Sequence, residues 1–365
     1  MPRNQPMQIV FPRLGVTRRF GLRPEGKKAE YGTPWAYNVR VEDSLTNRLR
    51  GGSFTAIAAA TRPTEILYRD RVLTFSGRAI TATRVGDHTD TTMSADVSDM
   101  MRPALFQLSE AGEQGETVVA LVPHKDRHLL GFTAGETWVQ QGDPLSGTRH
   151  CVSREIGIIG ADAWCKVHDT VYFMSEHGLY SVGADGSGMK SVSEDTIPED
   201  LTGLSDTACT LTYNHADRGV YIHLTDSPDW FYDTARDGFW PFNLDSDQSH
   251  VLLGPFHLGE HQRHGRVQNI HATIAQGSGD VTWAFITGTS EEEAAANGKL
   301  AIEAAVAGND YDQYVSASGV WSAGKNHISY PRTRAMALVL WMWSESGTWA
   351  YESVAMTRAT SGRWR

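Results

Sequence analysis

The alternation of apolar and polar positions is strongest between Val118 and Val182, where short runs rich in Val, Ile, Tyr, Phe and Trp recur between turn residues. One unit reads Val118 to Val122, Leu129 to Phe132 and Thr137 to Gln140, with turns at His124-Lys125-Asp126 and Ala134-Gly135. The next reads Ile156 to Ile159, Trp164 to Val167, Thr170 to Met174 and Leu179 to Val182, turning at His168-Asp169 and Glu176-His177-Gly178. Runs this short, bounded by Gly, Asp and His, are strands rather than helices. One small sheet cannot bury both of its faces alone, so several in succession predict radial repetition. The expected fold is all-β, a β-propeller.

The same pattern flanks this stretch. Ile66 to Tyr68, Arg71 to Phe75 and Ala79 to Arg84 form a unit before it. Cys209 to Tyr213, Gly219 to Leu224, Trp230 to Tyr232 and Phe239 to Phe242 form one after it. Val251 to Leu258, Asn269 to Ile274 and Val281 to Ile286 read as a fifth, and Ala335 to Met342 with Trp349 to Thr357 as the last. About five or six blades are predicted. Ser290 to Gly298 reads as a Ser-capped helical turn closed by Gly, inside an excursion from the blades near 288–320.

Residues 1–63 break the pattern. Pro recurs at 2, 6, 12, 24, 34 and 63, and eleven of the 33 Lys and Arg residues fall in this stretch. It is read as an extended, basic, Pro-rich arm preceding a propeller over 64–365. The whole chain carries a formal charge of −10, so the remainder is markedly acidic, which argues against general nucleic-acid grip but leaves room for an acidic surface past which DNA slides. That asymmetry favours inter-subunit contacts by the arm, through Arg13, Arg18, Arg19, Arg48 and Arg50 with the turn at Gly51-Gly52.

Eleven Trp is high for 365 residues. Trp138, Trp164, Trp240 and Trp349 lie on or beside predicted strands and are assigned to the propeller core, filling gaps between sheets. Cys151, Cys165 and Cys209 have no metal spacing and cannot all pair, which points to reduced, buried thiols made in a cytosol. Met1 to Pro6 lacks an apolar core and the run Ala335 to Trp343 is too short to span a bilayer, so neither signal peptide nor membrane insertion is expected.

Candidate chemistry is sparse. His257, His261, His264 and His271 could present metal ligands, but the surrounding Gly and the absence of a correctly placed Glu favour an exposed loop. Asp226, Asp229, Asp233 and Asp237 around Trp230 could supply paired carboxylates beside a sugar platform, although acidic turn residues are commoner. No nucleophile elbow, phosphate loop or dinucleotide fingerprint occurs in a strand-to-helix context. No catalytic residue, metal or cofactor is assigned, and the chain is read as a non-enzyme.

A resemblance narrows this reading. Asn38-Val39-Arg40 followed by Arg48-Leu49-Arg50-Gly51-Gly52-Ser53 resembles a signature near the start of tailed-phage minor structural proteins. Gly142-Asp143-Pro144 through Gly157, Tyr172 to Tyr180, Trp349 to Glu352 and Gly362 to Arg365 are similar to the propeller body of such proteins. The likeness spans Asn38 to Arg365, with Phe54 standing where a basic residue is expected, and is nearest to the tail nozzle or packaged-DNA stabilisation proteins of short-tailed phages. It implies a virion tail component made in the bacterial host cytoplasm. Its partners would be copies of itself in a ring, usually a hexamer, adjacent tail or adaptor proteins, and packaged DNA passing without sequence-specific binding. The competing reading is a host-glycan-binding or glycan-cleaving propeller.

Overall fold

The computed structural model describes residues 5–9, 16, 33, 35–42, 48–52, 59, 61–110, 112–197, 199–204, 209–225, 228–243, 246–259 and 263–363, with 5–9, 263 and 360–363 by backbone only. The protein is nearly all β, with six antiparallel sheets and one α-helix among the described residues. The chain divides into two compact units, residues 57–227 and residues 1–56 together with 228–365.

The unit spanning 57–227 is a series of local meanders. Ile66–Tyr68, Arg71–Ser76, Ala79–Ala82 and Ala104–Phe106 pair in chain order. Val118–His124, His128–Thr133, Thr137–Gln141 and Thr148–Ser153 repeat that arrangement, as do Trp164–Val167, Thr170–Ser175, Gly178–Gly183 and Lys190–Ser191. Cys209–Asn214 and Gly219–Leu224 pair as the last hairpin of this unit, and Asp229–Asp233 with Gly238–Phe242 forms a hairpin of the other. Consecutive sheets pack through apolar faces. Tyr68, Leu73 and Ile80 of the first sheet share a core with Leu121, Leu129 and Trp138 of the second. Phe132 and Phe173 join the second to the third with ring centroids 4.8 Å apart.

The sequence reading missed the fourth strand of each of the first three sheets and placed a strand at Ile156 to Ile159, where there is none. Thr148–Ser153 and Lys190–Ser191 are polar and have no fully buried residue, so they lack the apolar alternation of the inner strands, and Ala104–Phe106 is only three residues long. Ile158 is buried, and its backbone N–H donates to the Thr133 carbonyl at 2.9 Å, in a connection rather than a ladder.

The other unit is built from distant pairings. One sheet has the order Trp35–Tyr37, Ser249–His257, Ala337–Ser344, Val281–Gly288 and Val315–Trp321. The other runs Gly324–Ser329, Arg263–Ile274, Trp349–Arg363, Arg48–Gly51 and Val39–Glu42, with Gln5–Ile9 and Arg334–Ala335 pairing off that path. The fifth and last units expected from sequence are therefore not local meanders: their strands are dealt between two sheets. Every residue of Ala337–Ser344 is buried, which requires cover on both faces and a partner on each side. The excursion is a helix, Glu291–Val306, with Ser290 Oγ accepting from the Glu293 N–H at 3.0 Å as its N-cap. Gly298 does not close it. A side chain there would meet Leu252 Cδ2 at 2.7 Å, so glycine lets the helix lie directly on the sheet beside Val339.

Ala36, Val39, Val41 and Leu49 are buried within these sheets because apolar side chains alternate with polar ones at strand period.

Candidate functional site

The Arg-Leu-Arg-Gly-Gly stretch lies in a strand hairpin that fixes its charges. Val39–Glu42 and Arg48–Gly51 pair antiparallel with Glu42 opposite Arg48 and Arg40 opposite Arg50. Val41 and Leu49 point into the core, which leaves Arg40, Glu42, Arg48 and Arg50 on the other face. Glu42 consequently takes both neighbours: Arg48 Nε lies 2.8 Å from Oε2 and Arg50 Nη1 lies 3.6 Å from Oε1. Arg40 is drawn aside, its guanidinium 5.3 Å from the centroid of the Phe231 ring.

Two packing contacts hold the hairpin in place. Gly51 pairs with Trp349 and sits so close to its indole that a Cβ would fall 2.4 Å from Cε2. That indole donates to Ser249 Oγ at 2.7 Å. Gly52 has φ +121° and its N–H donates to the Asn38 carbonyl at 3.1 Å. Asn38, fully buried with φ 50°, donates through Nδ2 to the Ser246 and Gln248 carbonyls and accepts from the Asn243 N–H. The Asn-Val-Arg and Arg-Gly-Gly elements are thus one structural device.

Against this hairpin the turn Ala275–Ser278 and the segment Thr348–Ala350 close a pocket of about 160 Å³. Its polar lining is Glu42, Arg48, Arg50, Gln276, Ser278 and Thr348. Two guanidiniums face one carboxylate, in a chain whose formal charge is −10. The arrangement suits an anionic group such as a partner's carboxylate, which guanidinium forks bind bidentately. It offers cationic and hydrogen-bonding groups without a neighbouring imidazole or thiol.

The remaining residues singled out by sequence fall elsewhere. Arg13, Arg18 and Arg19 lie outside the described residues. Trp138, Trp164, Trp240 and Trp349 are buried on four different strands. Arg62 stacks over Trp164, 4.6 Å from the ring centroid, while its Nη2 donates to the Trp164 and Leu211 carbonyls. Asp233 accepts from Arg236 Nη1 at 2.7 Å and Asp237 accepts from the Tyr232 hydroxyl at 2.5 Å, so both shape their hairpin turn. His264 and His271 lie on a strand rather than a loop, and among the described residues no group of three His, Cys, Asp or Glu could hold a metal. Cys165 is buried, and that burial pushes its thiol up to about 12, leaving it inert.

Sequence reasoning placed the hairpin turns of the 57–227 unit but missed that they are linked in a row. The first hairpin turns of successive sheets carry Arg69-Asp70, Lys125-Asp126 and His168-Asp169, with left-handed φ at Arg69, Asp70, Lys125, Asp126 and His168. The Arg69 N–H donates to Asp126 Oδ1 at 2.9 Å, and Lys125 Nζ lies 2.5 Å from Asp169 Oδ1. His168 then meets His215 of the following turn edge-on, with centroids 6.4 Å apart. The recurring basic-Asp dipeptide was the available signal. His124, partly covered here, is held below the usual imidazole range by burial and by Lys125, with Asp169 opposing.

No known family matches the chain, and no curated protein matches it. Among solved structures it aligns with the GH31 α-xylosidase of Xanthomonas citri at 8% identity and a TM-score of 0.13, covering 67% of this chain and 38% of that one. The chain spans well under half of that enzyme, and so slight a likeness carries no argument about fold or chemistry.

Proposed function

We propose that this protein is a non-enzymatic component of a phage tail, a β-propeller that assembles with its own copies into a ring through which DNA is retained and ejected. The observation that carries the reading is the serial joining of meanders by equivalent turns, from Arg69 to Asp126 and from Lys125 to Asp169. First strands of neighbouring sheets also touch, Ile66–Tyr68 with Val118–His124 and Trp164–Val167 with Cys209–Asn214. Repeats that meet only their neighbours in this way are how propeller blades are built.

The residue likeness around Asn38, Arg48 and Gly51-Gly52 supplies the tail assignment, and the acidic balance of the chain suits a wall past which DNA slides without sticking. The Arg48–Arg50 pocket serves as an attachment point for an acidic group on a neighbouring protomer or tail protein. Native mass measurement of the purified full chain tests this. A closed oligomer at a multiple of 40.2 kDa supports the reading. A monomer that releases reducing ends from host lipopolysaccharide or capsular glycan overturns it.

A further inference from the structure

Strands Arg263–Ile274 and Gly324–Ser329 pair antiparallel, with His271 directly opposite His327. Both side chains are exposed. Their Nδ1 atoms stand 3.0 Å apart, and His327 Nε2 lies 2.8 Å from Ser329 Oγ. The ring centroids are 4.2 Å apart and the planes 34° from parallel.

The Nδ1 atoms are within hydrogen-bond distance, but the two rings are not coplanar. A linear, in-plane N–H···N bond would hold the centroids about 5 Å apart, so the rings here lie side by side with their Nδ1 edges brought together. Two nitrogens on one tetrahedral zinc, each about 2.0–2.1 Å from the metal, stand about 3.3 Å from each other. The two Nδ1 atoms are already near that separation. Because rings aimed at one such ion stand about 5 Å apart between centroids, chelation turns both exposed rings outward from their present 4.2 Å. Ligation through Nδ1 needs the proton on Nε2, and the Ser329 hydroxyl is placed to accept from His327 Nε2–H, the outer-shell contact that fixes a ligating tautomer.

We propose that His271 and His327 chelate a divalent transition-metal ion of the imidazole-preferring kind, such as zinc or copper, through both Nδ1 atoms. Ser329 is a positioning residue. Among the described residues no third ligand of the usual types joins the pair, so water completes the coordination.

The experiment is zinc titration of the untagged full chain by calorimetry, with melting midpoints of every variant compared in EDTA to verify folding. One zinc per chain is expected, weakened at least about tenfold by either His271→Ala or His327→Ala because a chelate then becomes a single ligand. Ser329→Ala should weaken it by about tenfold at unchanged stoichiometry, whereas His257→Ala should leave it unchanged. Copper electron paramagnetic resonance on the unsubstituted chain should report two nitrogen ligands, giving a readout independent of any variant. Absence of saturable zinc binding, equal affinity in both His→Ala variants and the parent, or a copper spectrum without two nitrogens would each mean that the two rings only share a proton.

Discussion

Arg71 has no exposed side-chain surface, and its Nε donates to Asp143 Oδ2 at 3.0 Å, tying the first sheet of the 57–227 unit to the turn that ends the third strand of the second. The rest of the guanidinium donates to the carbonyls of Thr83 and Arg102, each at 2.7 Å, and of Met100 at 3.1 Å. A buried cation is tolerable only when its donors are occupied in this way.

Arg71→Met should therefore destabilise this unit by about 3–5 kcal/mol, because it strands Asp143 and three carbonyls at once. Asp143→Asn should cost less, since Asp143 keeps 22% of its side-chain surface in water and an amide oxygen can still accept. Urea midpoints of the two variants check the order. Equal losses would mean that the charge pair, not the carbonyl cradle, dominates.

His250 makes the fold sensitive to acid. Its ring lies against Trp341, with centroids 5.9 Å apart, and Trp35 and Tyr37 crowd it from the neighbouring strand. Burial alone pushes its pKa down to about 4 from the ordinary 6.5. Between those values the unfolded chain binds the proton that the folded chain refuses, so stability falls as pH drops from 6.5 towards 4. The loss from this residue is about 3 kcal/mol across the window. His250→Phe should flatten that part of the pH–stability curve; an unchanged slope would count against the assignment.

Glycine at 51 is a packing requirement rather than a turn requirement. Gly51→Ala drives a methyl group into the Trp349 indole and should cost about 1–3 kcal/mol. Gly77→Ala, with φ +56° and nothing within 4 Å of a new Cβ, isolates backbone strain without a clash. Thermal midpoints compare the two, and a milder effect at Gly51 than at Gly77 would contradict the close approach.

Trp240 is 1% exposed on Gly238–Phe242. Trp240→Ala should cost about 3–5 kcal/mol through lost transfer and a residual cavity. An unaltered melting midpoint would remove it from the core.

The Arg48–Glu42–Arg50 cluster is read as an attachment point. Because each side chain keeps 31–32% of its surface exposed, Arg50→Glu should change stability by no more than about 1 kcal/mol. Assembly should suffer far more than folding. Co-sedimentation with tail particles measures it, and full incorporation of the variant would contradict the role given to the pocket.

Much of the local architecture was legible before any coordinates. In Thr170–Ser175 and Gly219–Leu224, apolar runs end at turn residues, and the strands begin where those signals place them. Pairing in the 228–365 stretch was not legible, because Arg263–Ile274 and Trp349–Arg363 look like members of neighbouring hairpins yet pair with each other. Pattern marks which face is buried, not which distant strand covers the edge. At the candidate site, the basic residues stood out, but Glu42 as their shared partner and Thr348 as a wall depend on that long-range pairing. The turn at Gly298 was misread because a glycine on a packed helix face looks the same in sequence as one that ends a helix.

If this chain forms a ring in a phage tail, cryo-electron microscopy of gradient-purified particles that contain it will show that ring. A closed ring in the tail is expected, with subunit density that fits the 57–227 meanders and with Arg48 and Arg50 facing an acidic surface of the neighbouring copy or ring. Particles that carry the chain as a projecting fibre away from the DNA path would contradict it.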